Sequence, residues 1–353
     1  MTAEELVKHA SQGEPVSGQS FAGANLAGLN LSGGIFEAVD FSGADLTAAR
    51  FAESHLLSCR LTNAKMQGAA LGDAKFLKCG LAGAVMQDAA AVLVKFVECD
   101  LTAAVFTGAN LRLANFIESK MKNLNLTGAI LDQTAIVKCQ TAGLNLARLH
   151  LKRCTFIEAD LRGTDFTGTT FFRSSLIGAD LSGCVLPGLA IPACLLKDAN
   201  LSGGRFEGAN FEQVMFMGAN LEGAVLSNAN LARAVFTGAN LSKGVFANAD
   251  LSQAILTGAA AQNANFAGAN FFQANAVGLK APAARFVNCD FTYADLSHAV
   301  LDGANLSGAR FSRTNLHRIS ESEAVIPSRR GSFGTDMERY RAEHWHQIDD
   351  RNT

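Results

Sequence analysis

The sequence predicts an all-β fold in which the chain winds into a solenoid of four-sided coils. Three observations carry the prediction: a five-residue period of large apolar side chains, a small residue two places before each of them, and a frequent glycine two places after. Stepping by five from Phe21 gives Phe21, Leu26, Leu31, Phe36, Phe41 and so on to Leu316, 60 consecutive units with no insertion. The centre is Leu, Phe, Met or Ile in 55 of them, the exceptions being Ala91, Thr141, Ala261, Ala276 and Ala281. Of the 24 Phe, 21 are centres; Phe172, Phe272 and Phe333 are not. The slot two before the centre is Ala, Ser, Thr, Cys, Gly or Val in 53 of 60 units, and the residue just before the centre is most often Asn or Asp. Ala24-Asn25-Leu26-Ala27-Gly28 shows the full pattern. A period of five is neither the 3.6 of a helix nor the 2 of a strand. It fits a chain that turns a corner every five residues, with the centre and the small residue inside and the other three outside. Four sides close a coil of 20 residues, so 60 units make 15 coils, a stack of roughly 70 Å at about 4.8 Å per coil.

The elements follow in order. Thr2 and Glu5 form a capping-box pattern, which predicts a short helix to about Ala10 within an N-terminal cap, residues 1–15. The solenoid takes 16–318. Residues 319–353 form a non-repeat tail, expected to be partly helical; the 37 residues after Leu316 include 13 charged ones. In the tail Met337, Tyr340, His344 and Ile348 could line one helical face beside Trp345, a candidate contact surface.

Sustained from Phe21 to Leu316, this pattern strongly resembles the pentapeptide-repeat family. The resemblance implies a right-handed quadrilateral parallel β-helix. It also implies two settings: accessory or effector components beside bacterial secretion machinery, including the type VI system, and mimics of duplex DNA that bind DNA gyrase.

Composition narrows the functional classes. A formal net charge of -2 gives no basic patch for nucleic acid, and it is far from the dense negative charge that a mimic of DNA needs, about one charge per 1.7 Å. No secretory leader and no membrane-spanning helix are expected, and the expected compartment is the bacterial cytoplasm. No G-x-G or G-K-[ST] phosphate loop occurs, and 26 of the 33 glycines share the corner slot. All eight cysteines (59, 79, 99, 139, 154, 184, 194, 289) occupy the small inward slot, the closest pair ten apart, which suits buried thiols better than a zinc site. The seven histidines are scattered, with His344 and His346 the one cluster, and are read as solvated. The chain is therefore expected to be a non-enzyme without cofactor or metal.

One outward column breaks the bland surface. After the centres on the side of Leu56 and Phe76 come Leu57, Leu77, Val97, Ile117, Val137, Ile157 and Ile177, seven apolar residues spaced by 20. They predict a ladder about 30 Å long. Further along the same side, Leu195, Met215, Val235 and Ile255 stand just before the centre. Lys75, Lys95, Lys78, Glu98, Glu118, Lys138 and Glu158 would border the first ladder. An apolar stripe edged by charge is the expected look of a protein interface. Three readings stay open: a surface for a partner or a second copy, a face covered by the tail, or strand preference alone. The outward Phe172 and Phe272, and the corner residues Pro187 and Pro192, are weaker contact signals. The expected function is a non-catalytic protein-interaction scaffold or adaptor, an accessory of a secretion system being one setting; the alternative is a DNA-mimic modulator of gyrase.

Overall fold

Where the residue before a centre is Asn or Asp, its side chain sets the local bend. The Asn25 Oδ1 accepts the Ala27 N–H at 3.1 Å, the Asp40 Oδ1 that of Ser42 at 2.9 Å, and the Asn240 Oδ1 that of Ser242 at 3.1 Å. These are Asx turns, in which the side chain imitates a backbone acceptor. The corner residue that follows has a positive φ, 70° at Gly28 but also 65° at Leu93 and 59° at Arg233. A side chain in that conformation costs roughly 1–2 kcal/mol. The next coil holds it there: the Leu93 N–H donates to the Arg112 carbonyl at 3.0 Å and the Arg233 N–H to that of Ser252 at 2.8 Å.

The structure, a computed structural model, describes residues 1–141, 143–327 and 329–343. It is a parallel β-solenoid with a helix at each end. Helix α1 spans Ala3–Gln12. Ten short strands follow: β1 (Val16–Ser17), β2 (Ile35–Glu37), β3 (His55–Leu57), β4 (Lys75–Leu77), β5 (Lys95–Val97), β6 (Asn115–Ile117), β7 (Ala135–Val137), β8 (His150–Lys152), β9 (Thr155–Ile157) and β10 (Thr170–Phe172); α2 covers Met337–Glu343. Eight of them form one parallel sheet in the order β1-β2-β3-β4-β5-β6-β7-β9, and β8 pairs with β10. From β2 onward each strand partner lies 20 residues away, as in Phe76↔Phe96.

Regular strands therefore define about eight turns, fewer than the 15 coils expected from counting repeats. The reason is local. From β2 to β10 the residue after the centre has a long or β-branched side chain and the corner is not glycine. At Ile177, followed by Gly178, the extended backbone gives way to a turn. Elsewhere single bridges 20 residues apart hold the chain, such as Asn210↔Asn230 and Asn270↔Asp290. Four bridges per 20 residues, as at Ser20↔Asp40, Asn25↔Asp45, Asn30↔Arg50 and the Ile35↔His55 pair, give the four sides. Contacts divide the chain into two compact units, Met1–Asp180 and Leu181–Thr353.

Inside each unit the centres stack. Phe76, Phe96 and Phe116 lie parallel at 4.9 and 5.3 Å between centroids, and Phe246, Phe266 and Phe286 at 4.9 and 5.1 Å. Burying each ring contributes about 1.5–3 kcal/mol. In the small slot several hydroxyls and thiols that stand in place of Ala donate to a carbonyl 23 residues earlier. Ser54 Oγ reaches the Leu31 carbonyl at 2.8 Å, Thr134 Oγ1 that of Leu111 at 2.7 Å, and Cys79 Sγ that of Leu56 at 3.3 Å.

The ends are covered. In α1 the Thr2 N–H donates to Glu5 Oε2 at 2.7 Å and the Glu5 N–H to Thr2 Oγ1 at 3.2 Å, completing the capping box. The helix runs two residues beyond the expected Ala10, to a left-handed Gly13, and buries Leu6 and Ala10. At the other end the bridges continue past Leu316 through Asn305↔Val325, and Phe333 pairs with Asn315.

Phe216 stacks on Phe236 at 5.0 Å and meets Phe211 edge-on at 5.5 Å. Phe216→Ala should cost about 3–5 kcal/mol. In a quasi-one-dimensional fold the loss should be felt mainly by neighbouring coils. Hydrogen exchange should show protection lost around residues 196–256 and kept near Phe96; uniform loss along the chain would contradict this.

Candidate functional site

Alternation along each strand decides what faces out. In β3 to β7 and β9 the centre points inward, and the residues on either side of it point outward. The outer face of the first unit's sheet thus carries two columns. One is His55, Lys75, Lys95, Asn115, Ala135 and Thr155; the other is Leu57, Leu77, Val97, Ile117, Val137 and Ile157, each residue paired in register with the next. Six members of the expected ladder stand in strand geometry, about 24 Å from end to end at roughly 4.8 Å per step. Ile177 adjoins through its carbonyl, which accepts the Glu158 N–H at 2.9 Å, but lies in a turn. Leu57 and Leu77 are each 38% exposed, and Val97, Ile117, Val137, Ile157 and Ile177 are half-buried.

Charges edge the ladder on its corner side. Ser58, Lys78, Glu98, Glu118, Lys138 and Glu158 all have positive φ. Lys78 pairs with Glu98 at 3.7 Å and Lys138 with Glu158 at 3.8 Å. Such exposed pairs contribute at most about 1 kcal/mol each, so they set the pattern of the rim more than its stability. On the other edge Lys75 Nζ donates to His55 Nε2 at 3.2 Å. The early end of the ladder opens into a shallow depression of about 260 Å³ lined by Ile35, Phe36, Glu37, His55, Leu57 and Leu77 among others.

The second unit has its own apolar column. Leu195, Met215, Val235 and Ile255 are bridged in succession, with Met215 46% and Ile255 37% exposed. The column continues into Asn275, Asp295 and Asn315, where it becomes polar.

All eight cysteines are buried. The Cys59 and Cys99 thiols beside Cys79, together with burial, push its thiol up from the ordinary range, and burial pushes Cys289 up to about 12. The Cys79 and Cys289 thiols stay protonated and are poor nucleophiles, and the burial of all eight cysteines shields them from reagents, which fits a packing role. In the native protein an aromatic disulfide reagent at pH 8 should label none of them within an hour, and all eight after unfolding. Rapid native labelling of Cys79 or Cys99 would contradict that.

The tail is helical over Met337–Glu343, and that helix is exposed. Helix α2 buries none of its residues, and Met337 is 56% exposed. Tyr340 lies under the Arg318 guanidinium at 5.2 Å. Glu343, which the sequence did not single out, meets Arg318 at 2.8 Å, His317 at 3.4 Å and His298 at 3.5 Å. His317 is therefore not a solvated histidine: it is 1% exposed, under the tail. The spacings of 19 and 20 from His298 to His317 and Arg318 put all three at one corner of adjacent coils, a signal the repeat register could have supplied. His344, Trp345, His346 and Ile348 lie outside the described residues.

Stacked five-residue sides, Asx-capped corners and centres of Phe or Leu define a repeat solenoid. A family model described as pentapeptide repeats matches eight copies across residues 40–76, 95–133, 150–188, 194–231, 219–258 and 283–318, more than half of the chain. The chain belongs to the pentapeptide-repeat family. No curated protein matches it. Among solved structures it is similar to HetL, a pentapeptide repeat protein involved in heterocyst differentiation regulation from the cyanobacterium Nostoc sp. strain PCC 7120, at 25% identity over 67% of this chain and 86% of that one, with a TM-score of 0.26. It is also similar to QnrB1, a plasmid-mediated fluoroquinolone resistance protein, at 19% identity over 46% of this chain and 98% of that one, TM-score 0.30. A third is Rfr23 from the cyanobacterium Cyanothece 51142, at 23% identity over 43% and 91%, TM-score 0.17. The family assignment rests on the repeat, not on these superpositions. Among the described residues no helix is long and apolar enough to cross a membrane.

Proposed function

We propose that the chain is a non-catalytic binding protein, a scaffold or adaptor, whose first unit docks another protein on the outer face of its sheet. The observation that carries this reading is the in-register ladder Leu57, Leu77, Val97, Ile117, Val137 and Ile157 with its charged rim. Half-exposed apolar side chains in a continuous strip gain by being covered, at about 25 cal/mol per Å². The rim supplies orientation, because a partner must answer Lys75 and Lys95 on one edge and the mixed row of Lys78, Glu98, Glu118, Lys138 and Glu158 on the other. The partner that fits is therefore a protein segment with an apolar stripe and an acidic flank on the side of Lys75 and Lys95. About 24 Å of ladder matches some 16 residues of helix at 1.5 Å per residue.

A bacterial secretion accessory is the setting that the family resemblance suggests for such an adaptor. Gyrase modulation by DNA mimicry is the weaker reading. The formal net charge is -2, and outward positions such as Asn200, Asn220 and Asn240 carry amides hydrogen-bonded to one another rather than carboxylates.

The test is Ile117→Asp with Ile157→Asp, read by light scattering on a sizing column and by capture of binding proteins. Each change should cost no more than about 1 kcal/mol, because the positions face outward. The expected outcome is a folded double mutant that loses a partner held by the wild type. A wild-type dimer that becomes a folded monomer would make the partner a second copy. A mutant that unfolds, or one that keeps every partner, would end the interface reading.

A further inference from the structure

At the end of the second unit, His298, His317 and Arg318 converge on one carboxylate, that of Glu343. Arg318 donates to Glu343 Oε2 at 2.8 Å, and Arg339 of the same helix donates to Oε1 at 3.0 Å. Their hydrogen bonds, Arg318's first, hold the Glu343 carboxyl down at about 2. His298 and His317 meet edge to face at 5.4 Å.

Two histidines and a glutamate within 4.8 Å of one another suggest a metal ion at first. The hydrogen bonds argue otherwise. His317 Nδ1 accepts the Asp336 N–H at 3.1 Å. A neutral imidazole has one donor and one acceptor nitrogen, so Nε2 carries the proton, and Nε2 is the atom facing Glu343 at 3.4 Å. A metal-bound histidine needs the reverse, a bare nitrogen toward the ion and an N–H toward an outer acceptor. Two guanidinium groups on the same carboxylate would also repel a cation. The donors converge on an anion.

The two sides of this contact are unequally buried. The receiving side is built into the coils. The His317 N–H donates to Asn315 Oδ1 at 3.0 Å, the His298 N–H donates to the His317 carbonyl at 2.8 Å, and the His317 side chain is buried. The described part of the occupant, Met337–Glu343, has no buried residue. A built-in seat with an exposed occupant is suited to exchange.

We propose that His298, His317 and Arg318 form a carboxylate seat for short acidic helical segments, filled in cis by Glu343 and open to such a segment of another protein when α2 leaves. This site lies in the second unit and does not depend on the ladder of the first. Asp336 adds its backbone N–H, and Tyr340 stacks under Arg318, so the seat reads a carboxylate seven residues after an exposed N–H and three after an aromatic ring.

The experiment uses the full chain, the Glu343→Gln and Arg318→Gln variants, and an end-capped peptide of residues 334–343 as probe. Hydrogen exchange should show α2 protection falling about tenfold in each variant, the size expected for a charge-assisted hydrogen bond, with the coils unchanged. In spectra of Glu343→Gln, peptide at about 1 mM, the range of effective concentration a short tether supplies, should shift the His298 and His317 imidazole signals. It should leave the wild type, whose seat is filled, unshifted. A peptide ending in Gln should do nothing. Unchanged α2 protection in Glu343→Gln would overturn the proposal, as would equal shifts from both peptides or none from either. So would micromolar zinc bound by the wild type and lost in His298→Ala, which would make the trio a metal site.

Discussion

The corner is the constraint on which the rest of this molecule depends. Every fifth residue must adopt a positive φ, a conformation costly for any side chain and free only for glycine. No isolated turn would hold Leu93, Leu113 or Arg233 in that state. Each is held because its N–H meets a carbonyl of the next coil, as Leu113 meets Asp132 at 3.0 Å. Corner and stack are therefore mutually dependent: without neighbouring coils the corners relax, and without corners the centres cannot align. This is the physical basis of cooperativity between nearest neighbours in a repeat solenoid.

That dependence also shapes the surface. Many corners take glycine or an Asx turn, and there the outward neighbours are mostly small or polar. Where the backbone stays extended for three residues, on the sheet from β2 to β9, side chains emerge at strand spacing and can form a continuous column. The apolar ladder and its charged rim exist because the backbone on that side is straight enough to align them. In the second unit, where the corresponding corners are Gly218, Gly238 and Gly258, the column of Leu195, Met215, Val235 and Ile255 sits one step before the centre instead.

The tail follows different rules. It has no register with the coils, so its placement depends on a few specific contacts: Phe333 paired with Asn315, Asp336 on His317, and Glu343 among Arg318, His317 and His298. These are long-range, and those of Glu343 are charge-assisted. The helix they hold stays exposed while the histidine beneath it is buried.

The solenoid was legible in the amino-acid sequence, because a period of five admits one regular way of burying Phe and Leu while turning a corner at each step. The inward cysteines and the register of Leu57 through Ile157 followed from arithmetic on 20. The number of turns with true strands did not, since extension depends on the residue after the centre and on the corner together, as Ile177 before Gly178 shows. Nor did the histidine seat. His298 and Arg318 share a corner by spacing, but the partner that buries His317 comes from a segment without periodicity. Repetition encodes local geometry in the sequence itself, whereas a single non-repeating contact is settled only when the folded coil brings its two halves together.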